Sequence, residues 1–239
     1  MTKRESPRSC LKEVPARQTG AGEPMARGSV ESLCASFRTD GFVRVRGRLD
    51  AAGVSGAVAY YEVLCERLGL AAGSPLAPAP PGDAYLWGLA ASTELAGLAA
   101  CLLGAPVSCF GVTYINKPPD SGLAASWHQD LGPWRDRLEG APALTVWLAL
   151  NDADEANGCL RVIPGSHLLP TYPLRAEEGT SLFGVSIDLA LVDEARARCI
   201  SVESGDVVVH HSNLVHGSLP NDSARQRLAL ALRYRAAVP

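Results

Sequence analysis

The sequence lacks any long apolar run and any excess of one charge. No stretch approaches the roughly 18 apolar residues that a membrane-spanning helix needs, and no apolar signal segment stands near its start. The 22 Lys and Arg residues nearly balance the 25 Asp and Glu residues. A chain so close to neutrality has no field that would draw it to nucleic acid or an anionic membrane. We therefore expect a cytoplasmic protein whose partner is a small molecule; its oligomeric state is left open.

The cysteine pattern lacks the spacing of a disulfide framework or a zinc site. The seven cysteines are odd in number, scattered, and never form a C-x-x-C pair. They are typical of reduced thiols in a reducing compartment. A hydrophobic content of 47% and a mean hydropathy of +0.06 are typical of a globular chain. With 239 residues, one catalytic domain is the expected organisation.

The N-terminal half is predicted to be helical after an unstructured start. Residues 1–28 mix Pro, Gly, Ser and charges without an apolar period, which predicts a disordered tail and a single domain over 29–239. Ser29 is a candidate N-cap for a helix that stops at Asp40. Apolar residues at helical spacing predict two more helices, over 51–69 and 95–103, and a Pro-rich loop, 74–84, lies between them.

The C-terminal half is predicted to be a β-sandwich or barrel. Short apolar or alternating runs, separated by Gly, Pro, Asn and Asp, are typical of strands in such folds. They cover 107–116, 143–150, 159–163, 198–202, 206–211 and 228–235. The intervening segment 171–197 is long for a compact domain, so we expect a functional loop such as a lid, with a helical turn near its end.

A candidate metal site begins with His128 and Asp130. On an extended chain, residues two apart point to the same face, so both side chains can bind one ion. His216, on a distant strand, would complete a set of two histidines and one carboxylate that leaves open positions on the metal. The His-x-Asp pair alone is a weak signal, and the third ligand gives it weight.

Arg227 is a candidate anion-binding residue. It opens the alternating run at 228–235, which is typical of a barrel strand. A guanidinium inside an apolar barrel needs an anionic partner, and its fork suits a carboxylate. The alternative is an arginine that faces solvent, as Arg225, Arg233 and Arg235 nearby could also do.

Five ordered motifs make the chain resemble the phytanoyl-CoA dioxygenase family of iron and 2-oxoglutarate oxygenases. The resemblance extends over roughly residues 41–234. Its motifs lie at 115–122 (INKPPDSG), 127–130 (WHQD), 144–153 (LTVWLALNDA), 157–167 (NGCLRVIPGSH), and 205–206 followed by His216, Ser218, Asn221 and Arg227.

The resemblance implies a mainly β, double-stranded β-helix (jelly-roll) fold with flanking helices. It implies that His128, Asp130 and His216 bind Fe(II), and that Arg227 and Ser218 bind the C5 carboxylate of 2-oxoglutarate. Three more residues are expected in this cofactor pocket: Trp147, Gln129 and Thr113. The implied reaction uses O2 to hydroxylate an unactivated C–H of a small metabolite, releasing succinate and CO2, in bacterial natural-product metabolism. Asp130 argues against halogenation, because related halogenases lack this carboxylate.

Other functions and residue roles stay open at this point. A cupin-like isomerase or lyase would use the same ligands without 2-oxoglutarate, and a relative could desaturate or cyclise its substrate, or have lost catalysis. Candidate substrate residues are Trp134, Arg135 and His211. His167 is expected to fix a turn, and Asn157 with Gly158 to form a hairpin turn.

Overall fold

The computed structural model describes residues 27–177, 179 and 181–237. Most of the predicted tail, residues 1–26, lies outside the described residues. The first helix, α1 (Arg27–Asp40), already contains Ser29 as its third residue. The predicted N-cap at Ser29 is therefore wrong.

Four further helices follow: α2 (Ala51–Arg67), α3 (Ala84–Ala90), α4 (Thr93–Leu103) and α5 (Leu131–Leu138). Asp50 caps α2 by accepting a hydrogen bond from the Gly53 amide at 2.8 Å. Gly104 ends α4 in the left-handed conformation that glycine adopts readily. The sequence did not predict α3 and α5, which have only seven and eight residues, and α5 also contains a glycine and a proline.

The strands form two sheets that pack face to face, as the predicted double-stranded β-helix requires. Their bounds are β1 (Phe42–Val45), β2 (Leu76–Pro78), β3 (Val107–Lys117), β4 (Ala125–His128), β5 (Ala143–Ala149), β6 (Leu160–Val162), β7 (Leu174–Ala176), β8 (Val185–Ile187), β9 (Arg198–Ile200), β10 (Val207–His211), β11 (His216–Ser218) and β12 (Arg227–Ala236). The larger sheet has the order β1-β10-β5-β12-β3-β2 and the smaller one β4-β11-β6-β9, while β7 and β8 form a separate pair.

Alternation along β12 divides the core in two. Leu228, Leu230 and Leu232 join the apolar cluster between the larger sheet and the helices. Arg227 and the alternate residues of the strand face the space between the two sheets. This alternation confirms the predicted barrel strand and places Arg227 inside.

Two connections differ from the sequence prediction. Asn157 and Gly158 do form a turn, but the turn leads from β5 in the larger sheet to β6 in the smaller one, so it is no hairpin. The segment 171–197 contains the β7/β8 pair and two short 3-10 turns, Leu189–Leu191 and Glu194–Arg196. Its strand β8 contacts β4, the strand that ends at His128.

No single helix among the described residues is long and apolar enough to cross a membrane. The helices α3 and α4 would meet that test of length and composition only if they were counted as one helix, but a bend of 46° separates them. Six of the seven cysteines lie in the described part of the chain, and all six are free thiols.

Candidate metal and 2-oxoglutarate site

The three predicted metal ligands meet at one end of the smaller sheet. His128 ends β4 and His216 begins β11, and the two residues are direct partners in the antiparallel pairing of these strands. Asp130 follows β4 at the start of α5. Its Oδ1 atom lies 3.9 Å from Nε2 of each histidine. Among the described residues this is the one group of three or more side chains placed to share a metal ion.

Hydrogen bonds orient each ligand so that one donor atom faces the shared centre. Nδ1 of His128 lies 2.7 Å from the Ser126 carbonyl, and Nδ1 of His216 lies 2.9 Å from the Leu214 carbonyl. A carbonyl can only accept, so the ring proton is on Nδ1 and Nε2 is free to bind metal. Thr145 donates to Oδ2 of Asp130 at 2.7 Å, which leaves Oδ1 for the ion.

The electrostatics keep all three ligands in their metal-binding protonation states. Burial, and then the neighbouring imidazole, lowers the pKa of His128 and of His216 to about 4, so both rings are neutral at pH 7. Burial alone would raise the pKa of Asp130, but His216, His210 and Arg233 outweigh it and lower this pKa to about 2. Two neutral imidazoles and one carboxylate suit Fe(II) with open coordination positions.

Arg227 is a buried cation without an acidic partner. Its side chain is 2% exposed, and no carboxylate of the described residues forms an ion pair with it. One N–H donates to the Ile115 carbonyl at 3.2 Å, while Nε has no hydrogen-bond partner in that part of the chain. The guanidinium carbon lies 5.5 Å from the centre of the Trp147 ring. A buried, unbalanced charge is costly, so this geometry fits an anionic ligand.

The metal ligands and Arg227 line one cavity, which we call the inner pocket. It also contains Ser218 and Trp147, as the family resemblance implied. The other lining residues are Ile115, Ala125, Thr145, Gly158, Leu160, Phe183, His210, Gly217, Ala231 and Arg233. The described residues therefore fit both an iron ion and a small dicarboxylate.

Lys117 is a second buried basic residue, beside Arg227, and it was not predicted from the sequence as part of the site. The two residues are direct partners in the pairing of β3 and β12. Nζ of Lys117 donates to the Ser218 hydroxyl at 2.6 Å and also to the Leu219 carbonyl. Burial, and then the Arg227 charge, lowers the pKa of Lys117 to about 6. The available sequence signal was that Lys117 lies near the end of β3, the strand that pairs with β12 and so with Arg227.

A second, larger cavity, which we call the outer cavity, shares His128, Asp130, Phe183 and Arg233 with the inner pocket. Its volume is about 670 Å³. It is lined mainly by apolar and aromatic side chains from the Pro-rich loop, α3, β3, α5 and the segment 171–197: Leu76, Pro78, Ala79, Pro81, Trp87, Phe110, Val112, Pro133, Trp134, Leu174, Phe183 and Val185. Cavities of this size bind drug-sized molecules.

Four of the predicted site residues lie elsewhere than expected. Thr113 lines the outer cavity instead of the inner pocket. Gln129 lines neither, because its side chain points away from its two neighbours and bonds Asn213. Arg135 is exposed on α5 and also lines neither, whereas Trp134 lines the outer cavity.

His211 is the fourth residue to be corrected. It faces α1 and packs against Phe37 and His167, because strand alternation turns its neighbour His210 inward instead. His210 lies with its ring centre 4.2 Å from that of His216. His167 bonds the Arg38 carbonyl at 3.1 Å, consistent with the predicted structural role.

The jelly-roll core is shared with solved iron- and 2-oxoglutarate-binding enzymes, and the donor set suits an iron ion. Residues 37–229 match the phytanoyl-CoA dioxygenase (PhyH) family. The chain belongs to this family, which confirms the resemblance deduced from its motifs.

Relatives and solved structures agree with this placement. The chain is 33% identical over 147 residues to the peroxisomal phytanoyl-CoA dioxygenase of Bos taurus, covering 59% of this chain and 43% of the relative. EvdO2 of Micromonospora carbonacea var. aurantiaca, solved with 2-oxoglutarate, superposes with a TM-score of 0.73 at 24% identity, covering 90% and 92% of the two chains. The epimerase SnoN, solved with Fe3+, alpha ketoglutarate and nogalamycin RO, has a TM-score of 0.69 at 26% identity, covering 89% and 85%.

The chain spans about half the length of the curated relatives it matches, from 40% to 59%.

Proposed function

We propose that the protein is an Fe(II)- and 2-oxoglutarate-dependent dioxygenase that hydroxylates an unactivated C–H of a small metabolite, in bacterial secondary metabolism. The observation that carries this proposal is the buried, unpaired guanidinium of Arg227 in the same pocket as the His128, Asp130 and His216 cluster. The similarity to SnoN, an epimerase from nogalamycin biosynthesis that was solved with nogalamycin RO, supports the metabolic assignment.

Each residue of the inner pocket has a role in this proposal. His128, Asp130 and His216 hold the iron, and Arg227 with Ser218 holds the distal carboxylate of 2-oxoglutarate. Trp147 packs against Arg227 and helps to exclude water from its charge. When bound, iron would activate O2, and the oxidative decarboxylation of 2-oxoglutarate to succinate and CO2 would accompany oxidation of the substrate.

Arg227 favours this reaction over a metal-dependent isomerase or lyase. An enzyme that binds no 2-oxoglutarate would gain nothing from a cation buried to 2% exposure, which costs free energy unless an anion pairs with it. Asp130 also occupies the position that a chloride ligand would need, which argues for oxidation without halogenation.

The test is co-substrate binding by the anaerobic protein. Fe(II) and 2-oxoglutarate should give a weak visible charge-transfer band in the wild type. Arg227→Met should weaken 2-oxoglutarate binding by roughly 100-fold, because it removes one partner of a buried charged pair. Arg225→Met is the matched control, since Arg225 is two residues away but exposed and paired with Asp154 at 2.7 Å. A wild type without the band, or an unchanged Arg227→Met, would overturn the proposal.

The outcome of the reaction needs a second measurement. Substrate-stimulated succinate formation, screened over small metabolites, identifies the substrate. The mass of the product then distinguishes hydroxylation, a gain of one oxygen, from desaturation or cyclisation, a loss of two hydrogens. An epimerised product, with unchanged mass, is distinguished by its retention on a chiral column.

A further inference from the structure

Arg233 is the second arginine that β12 sends into the barrel, and it lies at the boundary of the two cavities. It stands directly across the sheet from Thr145, whose hydroxyl bonds the metal ligand Asp130. Arg233 therefore reaches the outer cavity close to the metal cluster. Its position is well suited to touch a substrate whose reacting carbon lies near the iron.

The contacts of Arg233 hold its guanidinium in place but leave it without a close anionic partner. One N–H donates to the Thr113 hydroxyl at 2.8 Å, and the guanidinium carbon lies 4.7 Å from the centre of the Trp134 ring. Phe110 contacts Trp134 edge-on at 5.6 Å and so fixes this ring. Nε of Arg233 is buried and has no hydrogen-bond partner among the described residues, and none of their carboxylates forms an ion pair with it.

Asp130 lines both cavities together with Arg233, but in the proposed site it binds the metal. Fe(II) brings two positive charges and Arg227 one. These three charges are balanced by the carboxylate of Asp130 and the two carboxylates of 2-oxoglutarate. In the loaded site Arg233 is then left as an uncompensated cation. A guanidinium that is partly removed from water gains strongly from a ligand that brings a negative charge.

The rest of the outer cavity restricts the ligand further. Of the described residues that line it, Asp130 alone has a carboxylate, and Arg137 adds a second cation. The remaining walls are mainly apolar and aromatic. A ligand that matches these walls has an apolar body and one acidic group.

We propose that the substrate carries a carboxylate bound by Arg233, with Thr113 and Trp134 holding that guanidinium and the apolar walls enclosing the rest of the molecule. This inference rests on the proposed function. It names Arg233 as the residue that selects acids over neutral analogues and fixes which carbon faces the metal.

The experiment uses probe pairs that differ only in charge: 4-phenylbutyrate with 4-phenylbutanamide, and octanoate with octanamide. Binding to the anaerobic protein loaded with Fe(II) and 2-oxoglutarate is measured by calorimetry. In at least one pair the wild type should bind the acid about tenfold or more tightly than the amide, as expected for a hydrogen-bonded ion pair. Arg233→Gln should reduce this preference to near unity, and Arg233→Lys should retain part of it.

Two further variants make the test specific. Arg135→Gln is the matched control, because Arg135 lies next to Trp134 on α5 but lines neither cavity. It should keep the full preference. Thr113→Val removes only the hydroxyl that holds Arg233, and should lower the preference about threefold. These measurements decide the matter even if Arg233→Gln fails to fold.

The possible failures are distinguishable. Absence of the 2-oxoglutarate charge-transfer band in the wild type would overturn the proposed function and this inference with it. A normal band with no preference for either acid, or with a preference that survives in Arg233→Gln, would overturn the inference alone. A loss of 2-oxoglutarate binding in Arg233→Gln would assign Arg233 to the co-substrate and also overturn it.

Discussion

The Ser218 hydroxyl has both of its acceptor positions occupied. It accepts a hydrogen bond from Lys117 at 2.6 Å and another from the Ala125 amide at 3.3 Å. A hydroxyl has two lone pairs and one proton, so the proton of Ser218 is left to donate to another acceptor. In the inner pocket that acceptor is the co-substrate carboxylate of our proposal. Lys117 is thus a positioning residue, acting through Ser218.

We predict that Lys117→Met weakens 2-oxoglutarate binding by about tenfold, the effect of losing one well-oriented hydrogen bond. The methionine fills a similar volume, so the protein should stay folded. Titration of the anaerobic Fe(II) protein with 2-oxoglutarate, followed in the visible spectrum, gives the affinity. Circular dichroism checks the fold.

A double-mutant cycle tests whether Lys117 acts through Ser218. Ser218→Ala and Lys117→Met should each weaken binding, and the double variant should be little weaker than either one. If the two effects simply add, Lys117 contacts the co-substrate directly and the positioning role is wrong.

At the scale of single residues, the sequence revealed chemistry more readily than orientation. His128, Asp130 and His216 could be predicted because metal binding demands particular residue types at a two-residue spacing. Arg233 was grouped with arginines that could face solvent, although it lies an even number of residues from Arg227 and so shares its face of β12. The choice of His211 over His210 failed because alternation along β10 does not by itself show which of its two faces is inward.

At the scale of elements, the turn before β6 connects the two sheets, and its Gly158 lines the inner pocket. Gly158 has a φ of +78°, and an added Cβ would lie 2.5 Å from the Leu219 carbonyl oxygen and 2.9 Å from Nζ of Lys117. The turn can therefore hold only glycine without moving the strand that carries Ser218.

We predict that Gly158→Ala lowers the free energy of unfolding by roughly 2–4 kcal/mol, through backbone strain plus a steric clash. Gly140→Ala is the control, because Gly140 has a φ of +83° with nothing within 4 Å of its added Cβ. It should lose only about 1 kcal/mol. Urea unfolding measures both. Equal losses in the two variants would show that the contact with Leu219 and Lys117 has no effect.

The sequence predicted long, strongly patterned elements well and short ones poorly. The strands β3, β5, β10 and β12 lie within one residue of the expected ranges at each end. The strand β2 was missed because its three residues lie in a Pro-rich stretch, and β11 because its three residues, His-Gly-Ser, include no apolar side chain. Short elements form because tertiary pairing holds them, and a local sequence does not encode that pairing.

At the scale of the whole molecule, acid should destabilise the metal-free protein. Burial is the main cause that lowers the pKa of four histidines to about 4: His128, His210, His211 and His216. Between about pH 6.5 and 4 the unfolded chain therefore binds more protons at these residues than the folded one. Stability must fall as the pH falls through that window.

We predict that the free energy of unfolding of the metal-free protein drops by at least about 2 kcal/mol from pH 7 to pH 5. Urea unfolding after chelator treatment measures it. His211→Asn removes one of the four groups without touching the inner pocket, and its amide oxygen can still accept from the Asn213 amide. It should reduce the loss by about a quarter. If the free energy of unfolding did not change between pH 7 and pH 5, the folded protein would not bury these imidazole rings in their neutral form.

The strand β12 also has a consequence for how such enzymes diversify. Arg227 and Arg233 lie six residues apart on one rigid strand, a separation of roughly 20 Å along its axis. Its alternate leucines are locked in the helix-covered core, so the strand cannot slip. In our proposal, an arginine at the position of Ala231, about 7 Å closer to Arg227, would enter the inner pocket and compete with 2-oxoglutarate. The substrate-binding arginine of β12 is then confined to the part of the strand that reaches the outer cavity, so we expect related enzymes to change regioselectivity through the other walls of that cavity.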